Sequence, residues 1–301
     1  MRITLRQLMA FDAVARLGSV SEAACEINLT QSATSMALQE LERHLDCTLF
    51  NRQKRRLILN EHGRKLQPKV RSVLLGASDI EQLSKDRSFS GTLTVGVGTS
   101  IGTYLLPDIC ANFLAIHPHV KIQLDVRPAL KIIDRVDALH LDIGFIGAPI
   151  QRPSLRTLHW QQDELVIFAA PTHRLAGAMS LSPQDLKDET WCLTPAHSAT
   201  RTMLVLPILK YLPAIKVGLE ANSPEVIKRL VRAGAGIGCL SRRALEDEFK
   251  AGVLRELPVE GLDLSRDLSI ISRKDIQLSD LHEEFIRIAL AATSDGLTTA
   301  S

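Results

Sequence analysis

Residues 19–45 read SVSEAACEINLTQSATSMALQELERHL. Ser19 and Glu22 have capping-box spacing, in which two side chains satisfy the free N–H groups of a helix start. Ala23, Ala24 and Ile27 mark the inner face of a short helix, and Asn28-Leu29 is a tight turn. Thr30 caps the next helix, from about Gln31 to Leu45, with Ala33, Leu38, Leu41 and Leu45 as its buried stripe. Upstream, Thr4 and Gln7 form another capping box. Leu5, Leu8, Phe11, Val14 and Ala15 follow at helical spacing, and Gly18 ends that helix. A supporting helix followed by two helices on a short turn is the helix-turn-helix arrangement.

The start of the last helix presents Gln31, Ser32, Thr34 and Ser35, small polar side chains with one amide able to bind a base edge bidentately. Ser19, at the start of the preceding helix, joins this polar face. Downstream, Leu49-Phe50 and Leu57-Ile58-Leu59 read as two strands around Asn51–Arg56. Arg52, Arg55 and Arg56 make that hairpin a basic wing. Between Phe50 and Arg71 eight basic residues face one acid, Glu61, in a 301-residue chain whose net charge is only +2. A local basic block on a near-neutral chain points to a polyanion partner for one module, double-stranded DNA. A three-helix bundle with solvated faces accounts for the helices, but not for the turn, the polar face and the basic hairpin together.

From Leu5 to Arg64 the chain resembles the winged helix-turn-helix of the LysR-type transcriptional regulators, without a gap. The resemblance implies that Thr30, Gln31 and Ser35 contact DNA and that Arg52 contacts a phosphate. Met36 and Ala37 stand where many relatives carry Arg, Lys or Gln, which leaves base readout open at those positions. The strings NEHGR (60–64), DELVIFAAP (163–171) and CLSRR (239–243) resemble the branch of the family that regulates sulfur assimilation.

Asn60 caps a further helix in which Leu66, Val70, Val73, Ala77 and Ile80 form a heptad seam. The seam can pack on its own domain or on a second copy. LysR relatives dimerise through this helix, and the resemblance implies a homodimer or a homotetramer. Pro68 inside it removes a backbone hydrogen bond and favours a bend. Residues 84–90 (SKDRSFS) read as a hinge. The expected organisation is a DNA-binding domain at 1–60, a linker helix at 61–88 and an effector domain at 91–301.

From Gly91 strands and helices alternate, an α/β arrangement with mostly parallel sheets. Candidate strands are Leu93–Val97, Val120–Val126, Asp142–Ile146, Glu164–Ala169, Trp191–Leu193, Ile215–Leu219, Ile237–Leu240 and Leu268–Ser272. Candidate helices include Thr103–Ile116, Leu130–Leu139, Thr202–Tyr211, Pro224–Ala233 and Leu281–Ala292. This region resembles LysR effector domains more loosely. The resemblance implies the two-lobed, type II fold of periplasmic binding proteins, with lobe I at about 91–163 and 266–292 and lobe II at about 164–265. The chain would cross near Glu164 and return near Arg266. Residues 293–301 read as a disordered tail.

The string TLTVGVGTSIGTYLL (92–106) carries a glycine-rich turn. A dinucleotide fingerprint needs G-x-G-x-x-G, and here the third glycine is one place late. Gly98–Gly102 matches the G-x-S-x-G elbow of serine hydrolases, the alternative function. No earlier loop supplies oxyanion donors, and His282 lies in a helical pattern that reads as surface. The third reading is an anion cradle, with Thr99 and Ser100 capping a helix. In LysR effector domains this turn is one wall of the effector cleft. The facing wall would come from His197, Ser198, Thr200, Arg201, Asn222 and Ser223, and Arg127 would stand at the mouth, able to bind an anion or pair with a neighbouring acid.

The expected ligand is a small anionic effector, with no cofactor, metal or catalytic residue. The resemblance adds RNA polymerase at promoters as a partner. Five dispersed cysteines without CxxC spacing suit reduced, mostly buried thiols. With no secretion signal and no apolar run long enough to span a bilayer, a cytoplasmic, nucleoid-associated protein without membrane contact is expected.

Overall fold

The computed structural model describes residues 2–54, 56–82 and 89–295. Helices α1 (Leu5–Leu17), α2 (Val20–Glu26) and α3 (Gln31–Leu45) form the first module. The Thr4/Gln7 capping box is present, and Ser19 and Thr30 each accept from a backbone N–H three residues on. Gly18 ends α1 in the left-handed region (φ 69°), and its carbonyl accepts from Leu57 N–H at 2.9 Å. That bond ties the wing to α1. The wing is β1 (Phe50–Gln53) paired antiparallel with β2 (Arg56–Leu59). Phe11, Val14, Ala23, Leu38, Leu41 and Leu49 form the buried core, which Val70 of the next helix joins. Arg55 lies outside the described residues.

Helix α4 (Glu61–Gln82) starts with Asn60 Oδ1 accepting from Gly63 N–H at 2.9 Å and contains Pro68. Its heptad seam divides. Leu66 and Val70 pack on the DNA module, whereas Val73 and Ile80 are 47% and 69% exposed. Of the expected hinge, 84–88 lie outside the described residues; 296–301 of the expected tail do too, and helix continues to Asp295.

The rest is built on β3 (Ser90–Val97), α5 (Thr99–Tyr104), α6 (Leu106–Ile116), β4 (His119–Val126), α7 (Ala129–Asp137), β5 (Ile143–Ile146) and β6 (Leu155–Ala169). Then come β7 (Thr190–Leu193), α8 (Ala199–Ile208), β8 (Lys216–Glu220), α9 (Pro224–Arg232), β9 (Ile237–Ser241), α10 (Glu246–Lys250), β10 (Arg255–Glu256), β11 (Ser265–Arg273) and α11 (Asp280–Asp295). One nine-stranded sheet runs β4-β3-β5-β11-β6-β9-β7-β8, with β10 also on β6.

The mostly parallel sheet is a correction. The outer strands pair in parallel on each side, but β6 and β11 run antiparallel to each other and to their other neighbours. These two long strands carry the chain from one half to the other. The first half of β6 pairs with β11, and the second half pairs with β9. Each half buries its own residues, in two clusters. Leu93, Val95, Phe113, Phe145, Trp160 and Phe285 form one in the first half and Ile132, Val136, Ile146 and Ile271 the other; Ile167, Trp191, Leu193, Leu204 and Ile237 form one in the second half and Phe168, Ile227, Val231 and Leu240 the other. Gly236 at φ 141° leads into β9, and a Cβ there would stand 2.1 Å from Thr190 O, so only glycine fits.

Arg71 of α4 joins three units. Its guanidinium meets Asp12 of α1 at 3.3 Å and Asp142, just before β5, at 2.8 Å. Asp142 also accepts from Thr94 N–H at 2.9 Å, and His282 Nε2 lies 3.5 Å away. Burial raises the Asp142 pKa; His282, Arg71 and Thr94 outweigh it and hold the carboxyl well below its ordinary range.

Candidate DNA-binding face and inter-lobe cavity

At the start of α3, Gln31 and Ser32 are exposed and Ser35 is half-buried. Thr30 Oγ1 accepts from Ala33 N–H at 3.2 Å and lies 3.1 Å from Ser32 Oγ. Thr34 is a correction: it is 0% exposed, and its hydroxyl donates to Thr30 O at 3.0 Å. Its side chain is spent on the backbone. Ala37 is buried too, whereas Met36 is exposed. Half-buried Ser19 spends its Oγ on Glu22 N–H at 3.3 Å. Arg52 and Arg56 extend from the wing into solvent, and neither forms an ion pair among the described residues.

Between the two halves of the sheet lies a cavity of about 430 Å³. Thr99, Ser100, Arg127, His197, Ser198, Thr200 and Asn222 all line it. Arg201 and Ser223 do not. The Arg201 guanidinium is held by Thr194 O at 3.1 Å and Glu220 at 2.8 Å, so it braces the wall from behind. Ser223 precedes α9 without a side-chain cap.

The helix starts differ in detail from expectation. Thr99 and Ser100 are the first two residues of α5; its cap is Gly98, without a side-chain bond. Their hydroxyls are therefore not used as caps. Ser198 does cap α8: its Oγ accepts from Arg201 N–H at 3.0 Å and lies 2.5 Å from Thr194 Oγ1. Arg127 pairs with Asp125 at 2.6 Å, and Arg135 takes the other oxygen of that carboxylate at 2.7 Å.

Arg266, on β11, lines the same cavity. It is 8% exposed, pairs with Asp163 and reaches Thr200 Oγ1. The sequence places a chain crossing there, but no periodicity or motif marks its side chain. A neighbouring hollow of about 380 Å³ is lined by Glu164, Glu256 and Asp263, a poor setting for an anion. His282 is 3% exposed, not at the surface, and its Nδ1 lies 2.7 Å from Ser279 Oγ; it does not line the cavity with Ser100. Among the described residues no cluster of His, Cys, Asp or Glu could hold a metal, and no helix is long and apolar enough to cross a membrane.

The fold defines a winged helix-turn-helix protein with a two-lobed sensor-like domain. Residues 5–64 match the bacterial regulatory helix-turn-helix family of LysR type, and residues 86–294 match the LysR substrate binding domain. The chain belongs to the LysR-type transcriptional regulators.

The chain is 38% identical over 287 residues to the HTH-type transcriptional regulator YeiE of Escherichia coli, covering 95% of this chain and 97% of that one. It is 31% identical to CbbR of Rhodospirillum rubrum, covering 96% of each. Full-length OxyR from Pseudomonas aeruginosa shares the fold at TM-score 0.77 and 21% identity, covering 97% and 95% of the two chains. The Synechocystis CcmR regulatory domain, solved with 2-PG, covers 68% of this chain and 99% of that one at TM-score 0.63 and 26% identity. These matches give no support to a serine hydrolase.

Proposed function

We propose that this LysR-type regulator binds an interrupted palindromic operator as a dimer, or as a tetramer made of two dimers. Residues 1–60 read the DNA, the exposed part of the 61–88 segment joins two copies, and 91–301 sense a ligand. Gln31 and Ser35 face bases, while Thr30, Ser32, Arg52 and Arg56 lie along the backbone. Arg55 belongs with them by sequence. A small anionic metabolite enters the cavity between the lobes and shifts the placement of the DNA modules, a coupling of two sites through one equilibrium. The protein acts in the cytoplasm, on the nucleoid, with RNA polymerase at its promoters. Ser100 has no nucleophilic role in this reading.

The supporting observation is a cavity lined from both lobes, by Ser100 on one side and Thr200 on the other. The test is a thermal-shift screen of small anions, with 2-PG as the first probe, since a specific ligand stabilises a fold by mass action. Ser100→Ala and Thr200→Ala should each weaken the resulting ligand by roughly 1.5–3 kcal/mol. Operator affinity without ligand should stay near wild type. Unchanged ligand affinity in both variants removes this cavity as the site. Labelling by a serine-reactive probe, lost in Ser100→Ala, would restore the hydrolase.

A further inference from the structure

The cavity's wall chemistry is one-sided. Two arginines and a histidine line it, and no Asp or Glu does. Three arginines stand near it, but they differ. Arg127 is at the rim, 52% exposed, sharing Asp125 with Arg135. Arg201 is turned away on Glu220 and the Thr194 carbonyl. Arg266 alone of the three is both buried and part of the lining.

Arg266 sits opposite Asp163 in the register of β11 and β6, the two strands that cross between lobes. Its Nε donates to Asp163 Oδ2 at 2.8 Å, and Nη2 lies 2.6 Å from the same oxygen. The other carboxylate oxygen accepts from Ser241 Oγ at 2.6 Å, which fixes Asp163 in turn. Nη1 donates to Thr200 Oγ1 at 3.3 Å. A guanidinium carries five N–H donors, and these contacts engage three. One hydrogen on each terminal nitrogen has no acceptor among the described residues. Thr200, acting as acceptor, is left with its own hydroxyl hydrogen to donate. Gly147 keeps this space open: a Cβ there would lie 3.4 Å from Arg266 Nε and 2.8 Å from Leu268.

Burying an ion pair seldom stabilises a fold better than apolar residues of the same size. A charged pair with unspent donors at a cavity floor therefore suits a ligand more than a core. We propose that Arg266, positioned by Asp163 and Thr200, anchors the charged head of the ligand, and that this head is an oxyanion, carboxylate or inorganic. This rests on the cavity being the effector site. The two remaining N–H groups and the Thr200 hydroxyl supply a donor set matched to two or three anionic oxygens.

The test uses the full chain with sulfate, phosphate, acetate and glycolate as probes, titrated at constant ionic strength and followed by melting temperature and calorimetry. The inorganic and carboxylate arms separate the two sources. Removing Arg266 alone strands a buried carboxylate, so the double variant Arg266→Gln, Asp163→Asn is used; it removes both charges, Asn keeping the shape of Asp and Gln standing as a shorter polar side chain for Arg. Asp163→Asn alone leaves the guanidinium uncompensated. We expect at least one probe to stabilise wild type, and the double variant to bind that probe roughly ten- to a hundredfold more weakly. Asp163→Asn keeps an amide acceptor beside Arg266 and should bind the probe more tightly than the double variant does, which assigns the loss in the double variant to the Arg266 guanidinium. A double variant that binds within twofold of wild type or of Asp163→Asn, or no response of wild type to any probe, overturns the anchor. If Ser100→Ala weakens the probe and the double variant does not, the cavity stands and only the anchor falls. Operator binding by gel shift tests the regulator separately.

Discussion

At the start of α3, neighbouring residues are given different work by one turn of helix. Gln31 points to solvent, and Gln31→Ala should cost roughly 1–3 kcal/mol of specific binding and relax one base position. Thr34, three residues on, is buried and bonded to Thr30 O. Thr34→Val should cost about 1 kcal/mol of folding stability and leave base preference untouched. Arg52→Ala should weaken all sequences alike and flatten the salt dependence. Binding isotherms on specific and random duplexes at several salt concentrations, beside thermal melts, separate the three. The cysteines divide in the same way. Burial pushes the Cys110 thiol up to about 11 and Cys239 up to about 12, while Cys25 is exposed. A thiol reagent should modify Cys25 in the native protein and reach Cys110, Cys192 and Cys239 only on unfolding. Native labelling of Cys239 would show that lobe II opens to its core.

Helix α4 shows why one element needs more than its own pattern. Its heptad is real in the sequence, yet Leu66 and Val70 serve the DNA module while Val73 and Ile80 stay 47% and 69% exposed among the described residues. Val73→Asp should abolish dimers in sedimentation and with them operator binding, leaving ligand response intact; persistent dimers would place the contact elsewhere. The helix-turn-helix was legible because caps and stripes are local signals, and Thr4, Ser19, Thr30 and Gly18 all act where their spacing puts them. The first half of β6 was not. Six of the nine residues 155–163 (LRTLHWQQD) are charged or polar, and pairing with β11 makes them strand. Arg266 was missed for the same reason. It stands in a polar string, LSRDL, and its partners Asp163 and Thr200 are far away in the chain.

Across the whole molecule, Arg71 is the side chain through which the DNA module, α4 and lobe I meet. Arg71→Met leaves Asp12 and Asp142 less compensated and should cost about 2 to 3 kcal/mol. Because the folded Asp142 pKa is depressed, its contribution is complete above the ordinary carboxylate value near 3.9 and is lost only as pH falls through the lower folded value. Melting of wild type minus Asp142→Asn should therefore be constant from pH 8 to about 5; a difference that fades near pH 6 would mean another group controls the contact. Helix α4 thus presents three faces at fixed azimuths: Leu66 and Val70 to the DNA module, Arg71 to lobe I, Val73 and Ile80 outward. Each added residue rotates the downstream part of the helix by about 100°. One residue inserted after Arg71 would swing Val73 and Ile80 out of phase with the anchored half, whereas seven would bring them back to within about 20° while lengthening the arm by about 10 Å. In the proposed dimer the linker can therefore change length by heptads but not by single residues, and the distance between its paired DNA half-sites would be quantised by the pitch of one helix.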